Sequence, residues 1–157
     1  MTAYYLDASA VIKRYADESG SAFVSEILEP ADRHDLHMSD VGAVEVIASL
    51  ARRGRDGVRV APDFEAAIRH FQNDFAGRWI EVRTTPALLL AARRLAVQHF
   101  LRGYDAVHLA AAIEAEATSR FAHDAEFLAV SSDTLLNAAA RAEGLRVVDP
   151  TQTAELR

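Results

Sequence analysis

Short apolar runs alternate along this chain with longer stretches in which apolar residues recur every three to four positions. The short runs have the length of buried strands. They predict strands at 3–6, 36–39, 79–82, 127–131 and 146–148. The longer stretches have the spacing of one helix face. They predict helices over 8–16, through 23–28, from Asp40 to near Gly54, from Pro62 through Phe75, from Pro86 to about Phe100, over 105–117 and over 133–143.

Strands that alternate with helices favour a parallel sheet covered by helices on both faces, a three-layer α/β/α arrangement. The 157 residues show no internal repeat and no linker, so we expect one domain over 1–157. In such sheets ligands bind beyond the carboxyl ends of the strands. Asp7 follows the first predicted strand and Asp133 follows the fourth. These two acids are therefore expected at the same edge of the sheet.

Two further acids are expected at the margin of the core. Glu45 lies in a predicted helix on the side of Val41, Val44 and Ala48, which should be buried. Asp105 opens the alanine-rich helix. Charged side chains seldom lie at such places unless they are paired or bind a metal, and no obvious basic partner stands beside these acids. Together the four acids suggest a site for a divalent cation.

Each acid also has a simpler structural explanation. Asp7 and Asp133 could cap the helices that follow them, and Asp105 could complement a helix dipole. Glu45 could form a salt bridge with an arginine. If the four converge, however, like charges raise one another's pKa values, and a cation relieves that repulsion. An all-oxygen, carboxylate-rich site suits Mg²⁺ or Mn²⁺.

Composition and charge narrow the function classes. No apolar run approaches the ~18 residues of a membrane span, and the N-terminus lacks the layout of a signal peptide. The chain has no cysteine, which excludes disulfides and thiolate metal sites and fits a cytoplasmic location. The formal net charge of −6 argues against a general nucleic-acid binder. Acids around a metal would be neutralised in use, and arginines cluster at 52–55 and 93–94, where a solvated helix face is the alternative explanation.

Four segments resemble the successive motifs of PIN-domain ribonucleases and, more narrowly, of the VapC-type toxins of type II toxin–antitoxin systems. In chain order they are YYLDASAVIKRY, SDVGAVEVIASLARR, LRGYDAVHLAAA and SSDTLLNAAARAEGLRVVDP. The resemblance runs from about Tyr4 to Pro150. It implies a PIN-like fold and RNA cleavage that depends on Mg²⁺ or Mn²⁺. It also implies a homodimer and a VapB-type antitoxin whose C-terminal segment covers the acidic groove.

The resemblance also assigns roles to individual residues. The family's metal-binding catalytic acids match four residues of this chain, namely Asp7, Glu45, Asp105 and Asp133. Ser9 matches a hydroxyl residue that supports the first acid, and Ser131 matches one that stands two residues before the last. Asp124 is a rival to Asp133 for the fourth position, but Asp133 is favoured because it follows the predicted strand. Gly42-Ala43 precedes Glu45 where bulkier residues are frequent in the family, a difference expected to alter packing and not chemistry.

Other residues support weaker hypotheses. Lys13 and Arg14 follow Asp7 on the first helix and could reach a phosphate, with simple solvent exposure as the alternative. His108 could touch substrate or a metal-bound water, although a buried, hydrogen-bonded histidine is favoured. His34 and His37 should point to opposite faces of their strand, so a joint metal site is not expected. The aromatic residues at positions 64, 71, 75 and 79 are predicted to form core or dimer contacts rather than a base-stacking surface.

The favoured function is a metal-dependent endoribonuclease toxin, in which a metal-held water attacks an RNA phosphodiester and leaves a 5′-phosphate and a 3′-hydroxyl. A phosphatase with Asp7 as nucleophile is less favoured, because Ser9 stands where that mechanism usually needs a second acid. A PIN-like scaffold that binds RNA or protein without cutting is the non-enzymatic alternative. The presence of all four acids argues against it.

Overall fold

A computed structural model of the chain describes residues 2–29, 34–56, 63–123 and 126–152. Within them, one parallel sheet has the strand order β3-β2-β1-β4-β5. Its strands are β1 (Thr2–Leu6), β2 (His34–Ser39), β3 (Trp79–Val82), β4 (Glu126–Val130) and β5 (Val147–Val148). The helices are α1 (Ala8–Val11), α2 (Ser21–Leu28), α3 (Asp40–Arg55), α4 (Phe64–Arg78), α5 (Pro86–His99), α6 (Gly103–His123) and α7 (Thr134–Ala142).

The helices cover both faces of the sheet, and strand β1 shows how. Tyr4 and Leu6 pack in a core with residues of α1 to α4, whereas Ala3 and Tyr5 pack in a second core with residues of α5 to α7. Side chains alternate between the two faces along a strand, so a strand buried on both sides must be apolar throughout. The predicted three-layer α/β/α arrangement with a parallel sheet is confirmed.

The predicted elements are present, with ends that differ by a few residues. The first helix is shorter than predicted, because α1 is followed by a 3₁₀ turn at Ile12–Arg14. Helix α6 is longer than the predicted 105–117 and begins at Gly103. Pro62, predicted to open the next helix, lies outside the described residues. Helix α4 begins at Phe64 and is capped by Asp63, whose side chain accepts a hydrogen bond from the Ala66 amide.

The carboxyl edge of the sheet is where α1, α3 and α7 begin. The side chain of Asp7 caps α1, that of Ser39 caps α3, and that of Asp133 caps α7. Helix N-termini carry partial positive charge and unpaired amides, so this edge favours acidic and hydroxyl side chains. Across the described part of the chain, we find no helix with the length and apolar character that a membrane span needs.

Candidate active site

Asp7 is the buried centre of the site. Its amide donates to the Val130 carbonyl (3.1 Å), which fixes it just beyond the ends of β1 and β4. The side chain is only 5% exposed. Its Oδ1 accepts a hydrogen bond from the Ala10 amide at 2.9 Å, so the capping role considered for Asp7 is confirmed. Capping of α1 and a position at the carboxyl edge of the sheet are compatible for Asp7, because this residue lies in the turn between β1 and α1.

Two serine hydroxyls hold the Asp7 carboxylate from the other sides. Ser9 Oγ lies 2.8 Å from Oδ1 and 2.9 Å from Oδ2, and Ser131 Oγ donates to Oδ2 at 2.7 Å. Burial raises the pKa of Asp7; the charge of His108 and the hydrogen bonds from Ser131, Ser9 and Ala10 oppose this rise without cancelling it. Both serines thus occupy the supporting positions predicted for them.

Asp133 is joined to Asp7 through Ser131. Its amide donates to Ser131 Oγ at 3.0 Å, while that hydroxyl donates to Asp7. The Asp133 side chain is half-buried and caps α7 by accepting from the Leu136 amide at 2.8 Å. The cap suggested for Asp133 is therefore real, and it places the carboxylate beside the Asp7 loop. Asp124, the rival for the fourth position, lies outside the described residues.

Asp105 interacts electrostatically with both Asp133 and Glu45. It is half-buried in the first turn of α6. Burial raises its pKa, the negative charges of Asp133 and Glu45 raise it further, and His108 and Arg102 oppose them. Asp105 is thus close enough to Asp133 and to Glu45 to be repelled by both, as expected of groups that share one cleft. We call the group of Asp7, Glu45, Asp105 and Asp133 the acidic cleft.

Glu45 differs from its prediction in both face and partner. The buried side of α3 is formed by Gly42, Ala43, Val46 and Leu50, whereas Val44, expected inside, is 65% exposed. Glu45 is half-buried at the border between these sides. The arginine salt bridge considered for it is replaced by a contact with His108, with Nε2 and Oε2 2.6 Å apart.

The alternative favoured for His108, a buried histidine with hydrogen-bond partners, is confirmed. It is 3% exposed, and its Nδ1 lies 2.8 Å from the Tyr5 hydroxyl. Sequence reasoning missed Tyr5, although it faces the α6 side of β1 two residues before Asp7. It also missed Asn137, which is buried and donates to the Ser131 carbonyl at 2.8 Å. A polar residue at a core position of an amphipathic helix was the available signal for Asn137.

The donor atoms of the acidic cleft suit a hard cation, because all of them are carboxylate oxygens. No lysine or arginine among the described residues lies within ion-pair distance of the four acids. In the same part of the chain, no three histidine, aspartate or glutamate side chains stand close enough to enclose one ion. Mg²⁺ usually keeps several waters and takes only one or two protein carboxylates. The cleft therefore fits a hydrated Mg²⁺ or Mn²⁺ better than an ion that needs a complete protein cage.

The structure does not support the phosphate-binding role suggested for Lys13 and Arg14. Lys13 is only 6% exposed, and its Nζ bonds Glu18 at 3.0 Å. Arg14 forms an ion pair with Glu29 at 2.7 Å and is largely covered. Because Lys13 is buried and both cations have carboxylate partners within the fold, their arrangement is that of structural residues.

The remaining sequence hypotheses concern packing. His34 stacks edge-on against Tyr4, and His37 approaches Ser119 of α6 at 3.1 Å, so the two histidines do point to opposite faces. Phe71 is fully buried in the core on the α1 to α4 side. The other aromatic residues of that group pack against this core, namely Phe64, Phe75 and Trp79. The core interpretation of these aromatic residues is confirmed.

Comparison with known proteins agrees with the fold described above. The sequence model of the PIN domain matches residues 4–142 of the chain. Two relatives from Mycobacterium tuberculosis strains, "Ribonuclease VapC45" and "Ribonuclease VapC49", are each 34% identical over 113 residues, which is 72% of this chain and 76% of the relative.

Solved structures share the fold at lower sequence identity. PAE2754 from Pyrobaculum aerophilum has a TM-score of 0.63 at 22% identity, covering 99% of this chain and 94% of that one. VapBC-1 from nontypeable Haemophilus influenzae has a TM-score of 0.62 at 13% identity, covering 96% and 100%. VapBC2 from Rickettsia felis, solved bound to a DNA fragment from its promoter, has a TM-score of 0.60 at 13% identity, covering 94% and 98%. The chain thus belongs to the PIN-domain family, within the group of the VapC-type proteins.

Proposed function

We propose that this chain is a metal-dependent endoribonuclease that acts as the toxin of a toxin–antitoxin pair. The observation that carries the proposal is the acidic cleft, in which four carboxylates from separate segments share the carboxyl edge of the sheet without a lysine or arginine ion-pair partner among the described residues. Two relatives at 34% identity are named ribonucleases, which supports RNA as the substrate.

We propose Mg²⁺ or Mn²⁺ as the cofactor, held by Asp7 and Asp105 with Glu45 and Asp133 bound directly or through water. Such an ion supplies an activated water and neutralises charge at the phosphodiester. The support lies in the donor chemistry, since the cleft offers carboxylate oxygens without competing ion pairs. The mutual repulsion that raises the pKa of Asp105 is the kind of unfavourable interaction that a bound cation relieves.

The residues of the acidic cleft have different roles in the proposed reaction. Asp7 is fixed by hydrogen bonds from Ala10, Ser9 and Ser131, so its position is set before any ligand arrives. Asp105 and Asp133 are half-exposed and can meet both substrate and water. We assign the orientation of the attacking water to one of these two acids. The products expected are a 5′-phosphate and a 3′-hydroxyl.

We further propose a VapB-type antitoxin and a homodimer as the chain's assemblies. The solved VapBC structures that share its fold support the first proposal. Large apolar side chains on and after α5 support a protein-covered surface, because Leu90 is 66%, Val97 77% and Phe100 90% exposed. Light scattering of the purified chain, alone and with the product of a neighbouring reading frame, tests both assemblies. A monomer that binds no such product would contradict them.

The function is tested by incubating the purified protein with single-stranded RNA in Mg²⁺, in Mn²⁺ and in EDTA, and by mapping the product ends. We expect cleavage that EDTA abolishes and Mn²⁺ restores, with 5′-phosphates on the products. Asp7→Asn is the inactive control for contaminating nucleases. Cleavage that persists in EDTA, or equal cleavage by Asp7→Asn, would contradict the proposal. Tight RNA binding without cleavage would instead favour the scaffold alternative.

A further inference from the structure

We infer that His108 is a positioning residue that holds the Glu45 carboxylate in the acidic cleft, with Tyr5 fixing the imidazole ring from behind. The inference deepens the proposed function and rests on it, because Glu45 matters only if the cleft binds a cation. Its basis is a continuous chain of contacts from β1 through α6 to α3. The Tyr5 hydroxyl oxygen lies 2.8 Å from His108 Nδ1. On the other side of the ring, His108 Nε2 lies 2.6 Å from Glu45 Oε2.

The imidazole ring is fixed in place by its surroundings. Both ring nitrogens have partners, on opposite sides of the ring, and the residue is 3% exposed. The Tyr5 ring meets it edge-on, with the two centroids 6.0 Å apart. A histidine whose second nitrogen is bonded has a set orientation, so the first nitrogen can direct its partner.

Hydrogen-bond chemistry decides which group donates. An ionised carboxylate only accepts, so Nε2 carries the proton that lies between His108 and Glu45. With that proton on Nε2, Nδ1 accepts a hydrogen bond from the Tyr5 hydroxyl when the ring is neutral and donates to the hydroxyl oxygen when the ring is charged. The contact uses Oε2 of Glu45 and leaves Oε1 available to a cation or to a water bound to one. His108 thus acts on the cleft through Glu45 without itself being a ligand.

Gly42 makes room for this arrangement. A Cβ atom at this position would lie 2.7 Å from His108 Cε1 and 3.0 Å from Ser39 Oγ. Gly42 is buried in the first turn of α3, directly before Ala43 and three residues before Glu45. The missing side chain lets the backbone of α3 touch the imidazole ring. The glycine at position 42 is therefore, on this inference, required for the contact between His108 and Glu45, and its effect is not limited to packing.

The chain contains a matched control. His99 Nε2 and Glu143 Oε1 are also 2.6 Å apart, and this pair joins the end of α5 to the end of α7, with no residue of the acidic cleft taking part. Replacing either histidine by leucine removes one His–Glu contact. Only the loss of His108 should change the behaviour of the cleft.

The test is calorimetric titration of Mn²⁺ into wild type, His108→Leu, His108→Gln and His99→Leu. We expect His108→Leu to weaken Mn²⁺ binding about 10- to 100-fold, as is usual for partners of metal ligands. His108→Gln should recover much of this loss, because its amide can donate near the position of Nε2. His99→Leu should bind as the wild type does. Gly42→Ala tests the same geometry from α3 and should weaken binding as well.

A double-mutant cycle separates positioning from a general structural role. In a Glu45→Gln background, His108→Leu should weaken Mn²⁺ binding no further. The inference is overturned if folded His108→Leu binds Mn²⁺ like the wild type, or if its effect is equally large with and without Glu45.

Long-range ¹H–¹⁵N spectra of the metal-free protein give a readout that needs no metal. We expect a proton on Nε2 of His108 and a change in that signal in Glu45→Gln. A neutral ring protonated only on Nδ1 would overturn the inference. If wild type binds no Mn²⁺ and cuts no RNA, the proposed function fails on its own, and the spectra still decide whether His108 holds Glu45.

Discussion

Two clusters of charged residues, one around Glu18 and one around Asp7, shift the pKa of their carboxylates in opposite directions. Glu18 lies between Arg53 Nη1 at 2.8 Å and Lys13 Nζ at 3.0 Å. Burial alone would raise its pKa, but the hydrogen bonds and charges of these two cations outweigh burial and leave the pKa below its usual range. Asp7 is more deeply buried, has no cation of this kind beside it, and its pKa is raised.

The difference separates a structural cluster from a functional one. Around Glu18 the positive charges come from the protein itself, so the cluster is complete and joins the first helical segment to α3. In the acidic cleft the Asp7 carboxylate accepts hydrogen bonds from Ala10, Ser9 and Ser131, but no lysine or arginine of the described residues balances its charge. Burying an uncompensated charge is unfavourable. Such a charge is retained in a protein where a ligand supplies the opposite charge. We therefore expect the Glu18 cluster to contribute to stability and the acidic cleft to bind a cation.

The largest effect should follow from Asp7→Asn, which removes the charge at the centre of the cleft. We expect the rate of RNA cleavage to fall at least about 100-fold, since even partners of metal ligands contribute 10- to 100-fold. Folding should be preserved, because asparagine has nearly the same shape and removes an unfavourable buried charge. Single-turnover cleavage and thermal unfolding measure the two parts. An active variant would show that cleavage does not need the Asp7 charge, and a variant that unfolds at lower temperature would show that this charge stabilises the fold.

Glu18→Gln should show the reverse pattern. It leaves the nearly buried Lys13 ammonium without its carboxylate, and we expect a loss of roughly 2 kcal/mol in the free energy of unfolding, less than for a fully buried pair because Glu18 is 29% exposed. Urea unfolding measures this loss. RNA cleavage per folded molecule should stay at the wild-type level, and a large drop there would place the Glu18 cluster in the functional site.

The pH dependence of stability should have opposite signs for the two acids. The folded-state pKa of Asp7 is above its usual 3.8, so its contribution to stability is present below that pH and is lost as the pH rises through the folded pKa. The folded-state pKa of Glu18 is below its usual 4.5, so its contribution is present above that pH and is lost as the pH falls through the folded pKa.

Urea unfolding of metal-free wild type, Asp7→Asn and Glu18→Gln across the acidic range checks these signs. Relative to wild type, Asp7→Asn should gain stability as the pH rises, and Glu18→Gln should lose it. The same sign for both variants would show that the two clusters do not differ as described.

The smallest effect is expected at Arg14. Its partner Glu29 has a 63% exposed side chain, and pairs of this kind contribute about 0–1 kcal/mol. Arg14→Met should therefore change the free energy of unfolding by less than about 1 kcal/mol and leave RNA cleavage unchanged. A rise in KM for RNA with an unaltered kcat would instead restore the phosphate-binding role first suggested for Arg14.

Local features of the sequence were enough to predict the elements and the position of two acids. Apolar periodicity located the strands and helices, because both faces of this sheet are buried and its strands are apolar throughout. Asp7 and Asp133 were placed at one edge by the rule that parallel strands end together. The carboxyl ends of β1 and β4 are direct neighbours in the structure, and Ser131 joins the two acids there.

The side chains that depend on tertiary packing could not be predicted. Helix α3 has apolar residues on both sides, so its sequence alone did not decide that Val44 would be exposed. The contact of His108 with Tyr5 joins residues 103 positions apart and follows from how α6 packs on β1. The burial of Lys13 depends on Glu18 and on the close approach of Gly20 to its side chain, neither of which a helical pattern encodes.

The most direct measurement of the central claim is an anomalous difference map from a crystal of the protein soaked in Mn²⁺. We expect a peak bounded by the carboxylates of Asp7 and Asp105, with waters completing the coordination, and no such peak in Asp7→Asn. A cleft free of anomalous density at millimolar Mn²⁺, or a peak that survives the loss of the Asp7 charge, would show that the acidic cleft is not a cation site centred on Asp7.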